Sequence, residues 1–228
     1  MKNFFYKIFQ KSNYKIININ FIILFFLIIL KLLFIFLGYE IEYYIFQKYI
    51  YLSSSLKNLL YRPWTILTYS FIHEGFISII FNMLILNFFV KIISKSINNK
   101  KIIILYILGN ISGGLFFIIL YNIGYGFLKI NSEAIGATGG VCSIIIITTF
   151  LVPKFKILNI EIKYITFIVF TLFIITNNIE NNFTQIGGSV IGYIYINQLK
   201  KGKDITKLFI KIINIFYSKD KIKIIYKN

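Results

Sequence analysis

One cysteine (Cys142), one histidine (His73), one arginine (Arg62), one tryptophan (Trp64), two prolines and two alanines are all that this chain of 228 residues has of those types. A single cysteine excludes an internal disulfide framework and any cysteine-based zinc site. A single histidine excludes two-histidine metal motifs, so no metal or cofactor is expected. Acidic residues are scarce as well, 8 against 25 Lys and Arg, which leaves a formal net charge of +17. Polar filler is mostly Asn and Lys, in a chain biased toward Ile, Phe and Tyr. The rare residues therefore carry more information than the common ones.

What is abundant is apolar length. Hydrophobic residues make up 57% of the chain and the mean hydropathy is +0.76, which is the range of membrane proteins. At roughly 20 residues per span, 228 residues leave room for at most about seven helices. Apolar segments recur at 16–37, 68–93, 101–121, 135–152, 162–176 and 183–199. The first follows Lys2, Lys7, Lys11 and Lys15, is too long for a signal-peptide core and lacks a small-residue cleavage site, so it reads as a retained first span. The sixth is diluted by Gln185, Gly187, Gly188, Ser189, Gly192 and Asn197, as a helix enclosed by other helices tolerates.

Charge tests the arrangement independently. With the N-terminus inside, Lys91, Lys95, Lys100, Lys101, Lys154, Lys156, Lys163 and the Lys-rich tail all fall inside. The outer loops then hold Lys48, Lys57, Arg62 and Lys129 beside Glu40, Glu42, Glu74, Glu133 and Glu180. That is the positive-inside pattern for six helices with both termini cytoplasmic, in an inner-type membrane. It also excludes nucleic acid as the partner of the basic excess. The cations line one membrane face, where anionic lipid headgroups attract them. Lys31, inside the first span, has to snorkel or face the bundle. In the tail, Ile205, Leu208, Phe209, Ile212, Ile213 and Phe216 recur at helical spacing, which predicts an interfacial helix. The expected organisation is a membrane domain over 1–200 and a basic cytoplasmic tail over 201–228.

Three clusters stand out. The first is Tyr61-Arg62-Pro63-Trp64-Thr65, followed by Phe71-Ile72-His73-Glu74-Gly75 and Phe81-Asn82-Met83. The second is Ile135-Gly136-Ala137-Thr138-Gly139-Gly140. The third is Gln185-Ile186-Gly187-Gly188, with Gly192 beyond. Gly109 with Gly113, Gly136 with Gly140, and Gly188 with Gly192 form small-x-x-x-small pairs that predict close packing of the fourth and sixth helices.

In order, spacing and topology these clusters resemble the rhomboid family of intramembrane serine proteases, over about Tyr61 to Leu199. The resemblance implies an all-α membrane fold, a six-transmembrane-helix rhomboid-like bundle. It matches Gly-Ala-Thr-Gly to the family's Gly-x-Ser-Gly nucleophile motif, and Gln-Ile-Gly-Gly to its His-x-x-Gly base motif. Thr138 then stands at the nucleophile position and Gln185 at the base position. Asn82 and Ser78 stand at the oxyanion-type positions, where the family usually has Asn and His. Cys142 takes a place often held by an aromatic residue.

The chemistry departs from the family where it matters most. A hydroxyl nucleophile needs a base within hydrogen-bond reach. Gln185 can orient a hydroxyl but cannot take its proton at neutral pH. The methyl group of Thr138 restricts χ1. His73 could replace the base only if it reached Thr138, and Cys142 lies in apolar surroundings that disfavour a thiolate. Gln185 is expected to hydrogen-bond across helices, with Thr138 as the candidate partner. The reading is a catalytically inactive family member that binds transmembrane segments of client proteins. The rival is a residual intramembrane peptidase with Thr138 as nucleophile. Nothing beyond the span count supports a transporter.

Overall fold

Helix α1 (Tyr14–Phe36) opens the chain and ends by the usual chemistry of a helix C-terminus. Gly38 adopts φ 74°, its N–H donates to the Ile35 carbonyl (3.1 Å), and the Tyr39 N–H donates to the Phe34 carbonyl (2.8 Å). This Schellman arrangement satisfies the last free carbonyls and reverses the chain into α2 (Glu40–Ile50). The computed structural model describes residues 14–73, 75–125 and 132–211. Lys2, Lys7, Lys11, Glu74, Lys129 and the tail positions from Ile212 onward lie outside the described residues.

The long first loop is folded. After α2 come β1 (Leu52–Ser53), α3 (Leu56–Tyr61), α4 (Thr65–Thr68) and a 3-10 turn (Tyr69–Phe71). The Arg-Pro-Trp run and Thr68 cap α2 from outside. Arg62 Nη1 donates to the Lys48 carbonyl, Trp64 Nε1 to Tyr49 (2.8 Å) and Thr68 Oγ1 to Ile50 (2.8 Å). A helix end leaves such carbonyls without partners. Here three consecutive ones are taken, two of them by the chain's only arginine and only tryptophan.

Helix α5 (Phe76–Ile93), α6 (Asn99–Tyr125), α7 (Thr138–Leu151), α8 (Ile162–Thr176) and α9 (Ile179–Lys200) complete the bundle. The apolar run from 68 is therefore broken: its first residues belong to α4 and the 3-10 turn, and the helix starts at Phe76. Strand β2 (Glu133–Ala134) pairs antiparallel with β1, tying the first loop to the segment that leads into α7. Between α7 and α8, β3 (Lys156–Ile157) and β4 (Ile160–Glu161) pair antiparallel around Leu158 and Asn159, both at positive φ.

Three helices are long and apolar enough to cross a membrane, over 16–36, 76–93 and 99–124. Helices α7 and α8 are apolar but shorter. Helix α9 is long but carries the glycines and amides of the third motif.

Helix α7 is the centre. Ten of its 14 residues are buried, against α5, α6 and α9. The contact with α9 is backbone on backbone: a Cβ at Gly188 would stand 1.9 Å from the Gly139 carbonyl oxygen, and one at Gly192 would stand 2.7 Å from that of Ser143. Gly109 and Gly113 of α6 meet Ser143 and Thr184 nearly as closely. Lipid is as apolar as Leu, so helices gain nothing by hiding side chains from it; close backbone approach and interhelical hydrogen bonds hold them together. Helix α6 adds such a bond from Ser112 Oγ to the Gly187 carbonyl (2.8 Å).

Gly136 differs from the other paired glycines. It precedes α7 at φ 114°, and a Cβ there would meet nothing closer than 3.7 Å. Its requirement is the backbone angle rather than helix packing.

The tail begins with an anchored turn. Lys101 Nζ pairs with Asp204 Oδ2 at 2.6 Å, and Asp204 Oδ1 accepts from the Thr206 N–H (3.0 Å) and hydroxyl (2.6 Å). Burial opposes the Asp204 charge, but the Lys101 and Thr206 bonds outweigh it and hold the carboxyl below its usual value. Residues 206–211 are helical.

Candidate functional site

The turn into α7 is braced from three sides. The Gly136 N–H donates to the Tyr69 carbonyl (2.9 Å), and the Tyr69 hydroxyl donates to the Asn110 carbonyl (2.6 Å). Ala137 at the N-cap offers no side-chain acceptor. Asn110 supplies one from α6, its Oδ1 taking the Gly140 N–H at 2.6 Å. One of the free donors of the first helical turn is thereby satisfied across helices. The small residues of the motif let α6 come this close: a Cβ on Gly140 would stand 2.7 Å from Asn110 Nδ2.

Thr138 is the first residue of α7 and 1% exposed, with no hydrogen-bond partner for its hydroxyl. Gln185 is 4% exposed, and its Oε1 has no partner either. The expected bond between them is not formed. Successive residues of a helix point about 100° apart. Thr184 is the one turned into the α6–α7 contact, with its carbonyl oxygen 3.2 Å from where a Cβ on Gly139 would stand. Gln185 points instead into a groove of about 540 Å³ between α7, α8 and α9, with Ile146, Phe170, Ile174 and Ser189.

Asn181, one turn before Gln185, reaches the same turn as Thr138. Asn181 Oδ1 and Thr138 Oγ1 lie 3.7 and 3.9 Å from the point where a Gly136 Cβ would stand. Sequence reading passed over Asn181. Asn181 stands three residues before Thr184, the residue turned into the packed contact, so it shares that helical face.

A second cavity, of about 610 Å³, lies between the start of α5, the end of α8 and the start of α9. Ser78, Phe81, Asn82, Asn177 and Asn181 line it; Thr138 does not. Asn82 Nδ2 donates to the Ser78 carbonyl (3.0 Å), so one amide hydrogen is spent within its own helix. Asn82 Oδ1, Asn181 Oδ1 and Asn177 Nδ2 are buried without partners. The wall thus presents uncharged amide acceptors and donors.

His73 is 8% exposed, and neither ring nitrogen makes a hydrogen bond of acceptable geometry. Burial lowers its pKa to about 4, against a weaker opposing pull from the Phe71 carbonyl. It lines a third groove, against α1 and α2, which includes Ile135 and shares Gly75 and Phe76 with the amide-lined cavity but includes neither Thr138 nor Gln185. Cys142 is a free, buried thiol inside the main apolar cluster. No group of three or more His, Cys, Asp or Glu capable of holding a metal occurs among the described residues.

Chemically, the site has a buried hydroxyl at a helix N-terminus, amides around it and no ionisable base among the residues described beside it. An amide neighbour can hydrogen-bond a hydroxyl but cannot carry its proton away. No curated protein and no solved structure matches this chain. A family model, the rhomboid domain, matches residues 61–201, well over half of the chain and all three motif clusters; the chain belongs to the rhomboid family and is an integral, multi-pass membrane protein.

Proposed function

We propose that this protein is a non-catalytic rhomboid that binds transmembrane segments of client membrane proteins. One observation carries the reading: Thr138 Oγ1 and Gln185 Oε1, at the nucleophile and base positions, are both buried and do not bond to each other. Serine-type hydrolysis needs a proton acceptor on the nucleophile. Asn181 rather than Gln185 approaches the turn that holds Thr138, and His73 lines a groove that includes neither Thr138 nor Gln185. At what would be the oxyanion side, Asn82 spends one amide hydrogen on the Ser78 backbone carbonyl.

What the site offers is a polar cavity of about 610 Å³ with unpartnered amides. Amides match the backbone N–H and C=O groups of a peptide whose helix has opened, groups that bare lipid cannot satisfy. Client transmembrane segments are therefore the partners, and no nucleic acid is involved.

The same reading extends to topology. Helices α1, α5, α6, α7, α8 and α9 are taken as six spans, with both termini cytoplasmic in an inner-type membrane. Residues 1–200 form the bundle and 201–228 a basic tail. Helix α7 has 14 residues, about 21 Å, against a hydrocarbon core of about 30 Å. Enclosure by three neighbours supports its being carried at depth, with Thr138 below the membrane surface.

The test is cleavage of a model transmembrane substrate in liposomes. No product is expected from the native chain. Product that disappears in Thr138→Ala would refute the proposal in favour of a residual peptidase. Restoring Ser78→His, Thr138→Ser and Gln185→His together then asks whether the scaffold still delivers a substrate to a working base.

A further inference from the structure

Helix α1 carries one cation within its apolar length, Lys31, and the fold gives it a pocket. A groove of about 400 Å³ runs between α1, α2 and the segment leading into α5. Lys31, Tyr43, Gln47, Tyr51 and His73 supply its polar lining, and Leu24, Leu27 and Ile28 line it along α1. We propose that this groove binds an anionic phospholipid, its phosphodiester held by Lys31 and His73 and an acyl chain lying along α1.

Five observations converge. Lys31 makes no ion pair with any described residue, and an ammonium within a span is costly unless paired. His73 is nine-tenths buried, and neither ring nitrogen makes a hydrogen bond of acceptable geometry within the protein. Neutral imidazole keeps one N–H donor, which suits a phosphate oxygen. Only 11% of the α1 span is buried against protein, so the molecules at its flank are lipids. Lys31 stands five residues before the end of α1 at Phe36, about 8 Å along the axis, which is headgroup-to-glycerol depth on the membrane face that carries α2. One and two turns further in, Ile28, Leu27 and Leu24 supply apolar contact along the same groove. A cation at one end and an apolar wall at the other is the pattern of a phospholipid rather than of a free anion.

The groove shares only Gly75 and Phe76 with the amide-lined cavity, and its occupation does not depend on client binding. Native mass spectrometry of the full chain, released from nanodiscs, would test it with four probes: dioleoyl phosphatidylglycerol, dioleoyl phosphatidylcholine, oleate and inorganic phosphate. Phosphatidylglycerol should be retained about fivefold over phosphatidylcholine, the value of one lysine near a headgroup. Lys31→Ala should abolish that preference, Lys31→Arg should keep it, and Lys57→Ala, at a lysine outside the groove, should leave it unchanged. His73→Leu should reduce it in part. A preference that survives Lys31→Ala would overturn the proposal, and so would oleate or inorganic phosphate competing as well as phosphatidylglycerol. Should Lys31→Ala unfold, thermal unfolding of the native chain decides: phosphatidylglycerol must raise the midpoint and phosphatidylcholine must not, and equal effects would overturn it.

Discussion

Helices α6, α7 and α9 touch backbone to backbone, whereas α1, α2 and α8 touch the bundle through a few side chains. In the first group glycines at 109, 113, 139, 188 and 192 stand where any Cβ would collide with a neighbouring helix. In the second, Phe25, Phe26, Ile29 and Leu32 of α1 and Phe167, Ile168 and Ile175 of α8 are exposed, facing what the membrane supplies. The difference teaches where sequence information sits in such a chain. Apolar bulk marks what faces lipid, and small residues mark what faces protein.

The largest effect should come from breaking the tight group at its closest point. Gly188→Ala puts a methyl 1.9 Å from a backbone oxygen that cannot rotate away, so α7 and α9 have to separate. A loss of more than about 3 kcal/mol, or failure to fold, is expected. Gly124→Ala near the end of α6 meets nothing within 4 Å and should stabilise by about 0.5 kcal/mol through helix propensity. Thermal unfolding in detergent, followed by the fluorescence of Trp64, reads both. Equal effects at the two glycines would dissolve the distinction between the regions.

Acid should act on the loose group, through His73. Its pKa falls to about 4 on folding, from about 6.5 when unfolded. The unfolded chain therefore binds the proton first. Stability is undiminished above pH 6.5 and declines as the pH falls toward 4, by at most about 3 kcal/mol. The other titratable groups lining the same groove are Lys31 of α1, Tyr43 of α2 and Tyr51 just beyond it; none of them is an anion that would favour the imidazolium. Unfolding midpoints at pH 7 and pH 4.5 should differ in the native chain and converge in His73→Leu. A native midpoint indifferent to pH would mean that this groove opens to solvent without cost.

Much of this arrangement was legible beforehand, and the failures have physical causes. The three motif clusters, their order and the fourth-to-sixth helix contact were readable because glycine and the rare residues stand out against Ile, Lys and Asn. The break at 68–76 was not, since Tyr69-Ser70-Phe71-Ile72 is as apolar as a helix start and only tertiary bonds, such as Tyr69 to Asn110, bend it. Gly136 looked like a packing glycine because its spacing to Gly140 is helical, yet its φ of 114° belongs to the turn. The Thr138–Gln185 pair failed on helical phase: Thr184 took the packed face. Asn181 went unread because Asn is common in this chain and a single one carries little signal.

The smallest effect should come from the joint between the two groups. Thr149 and Thr166 share a hydroxyl bond of 2.6 Å from α7 to α8, while Thr149 Oγ1 also donates to the Ile145 carbonyl at 2.8 Å within its own helix. Valine at either position keeps the shape and removes the bond. Interhelical hydrogen bonds in membranes average about 0.6 kcal/mol, because the separated helices also find partners. A double-mutant cycle of Thr149→Val and Thr166→Val should return a coupling of that size. This is too little to fix α8 against α7, and it fits a helix held loosely beside the groove lined by Gln185. A coupling well above about 1.7 kcal/mol, the upper end for such bonds, would make α8 part of the rigid centre.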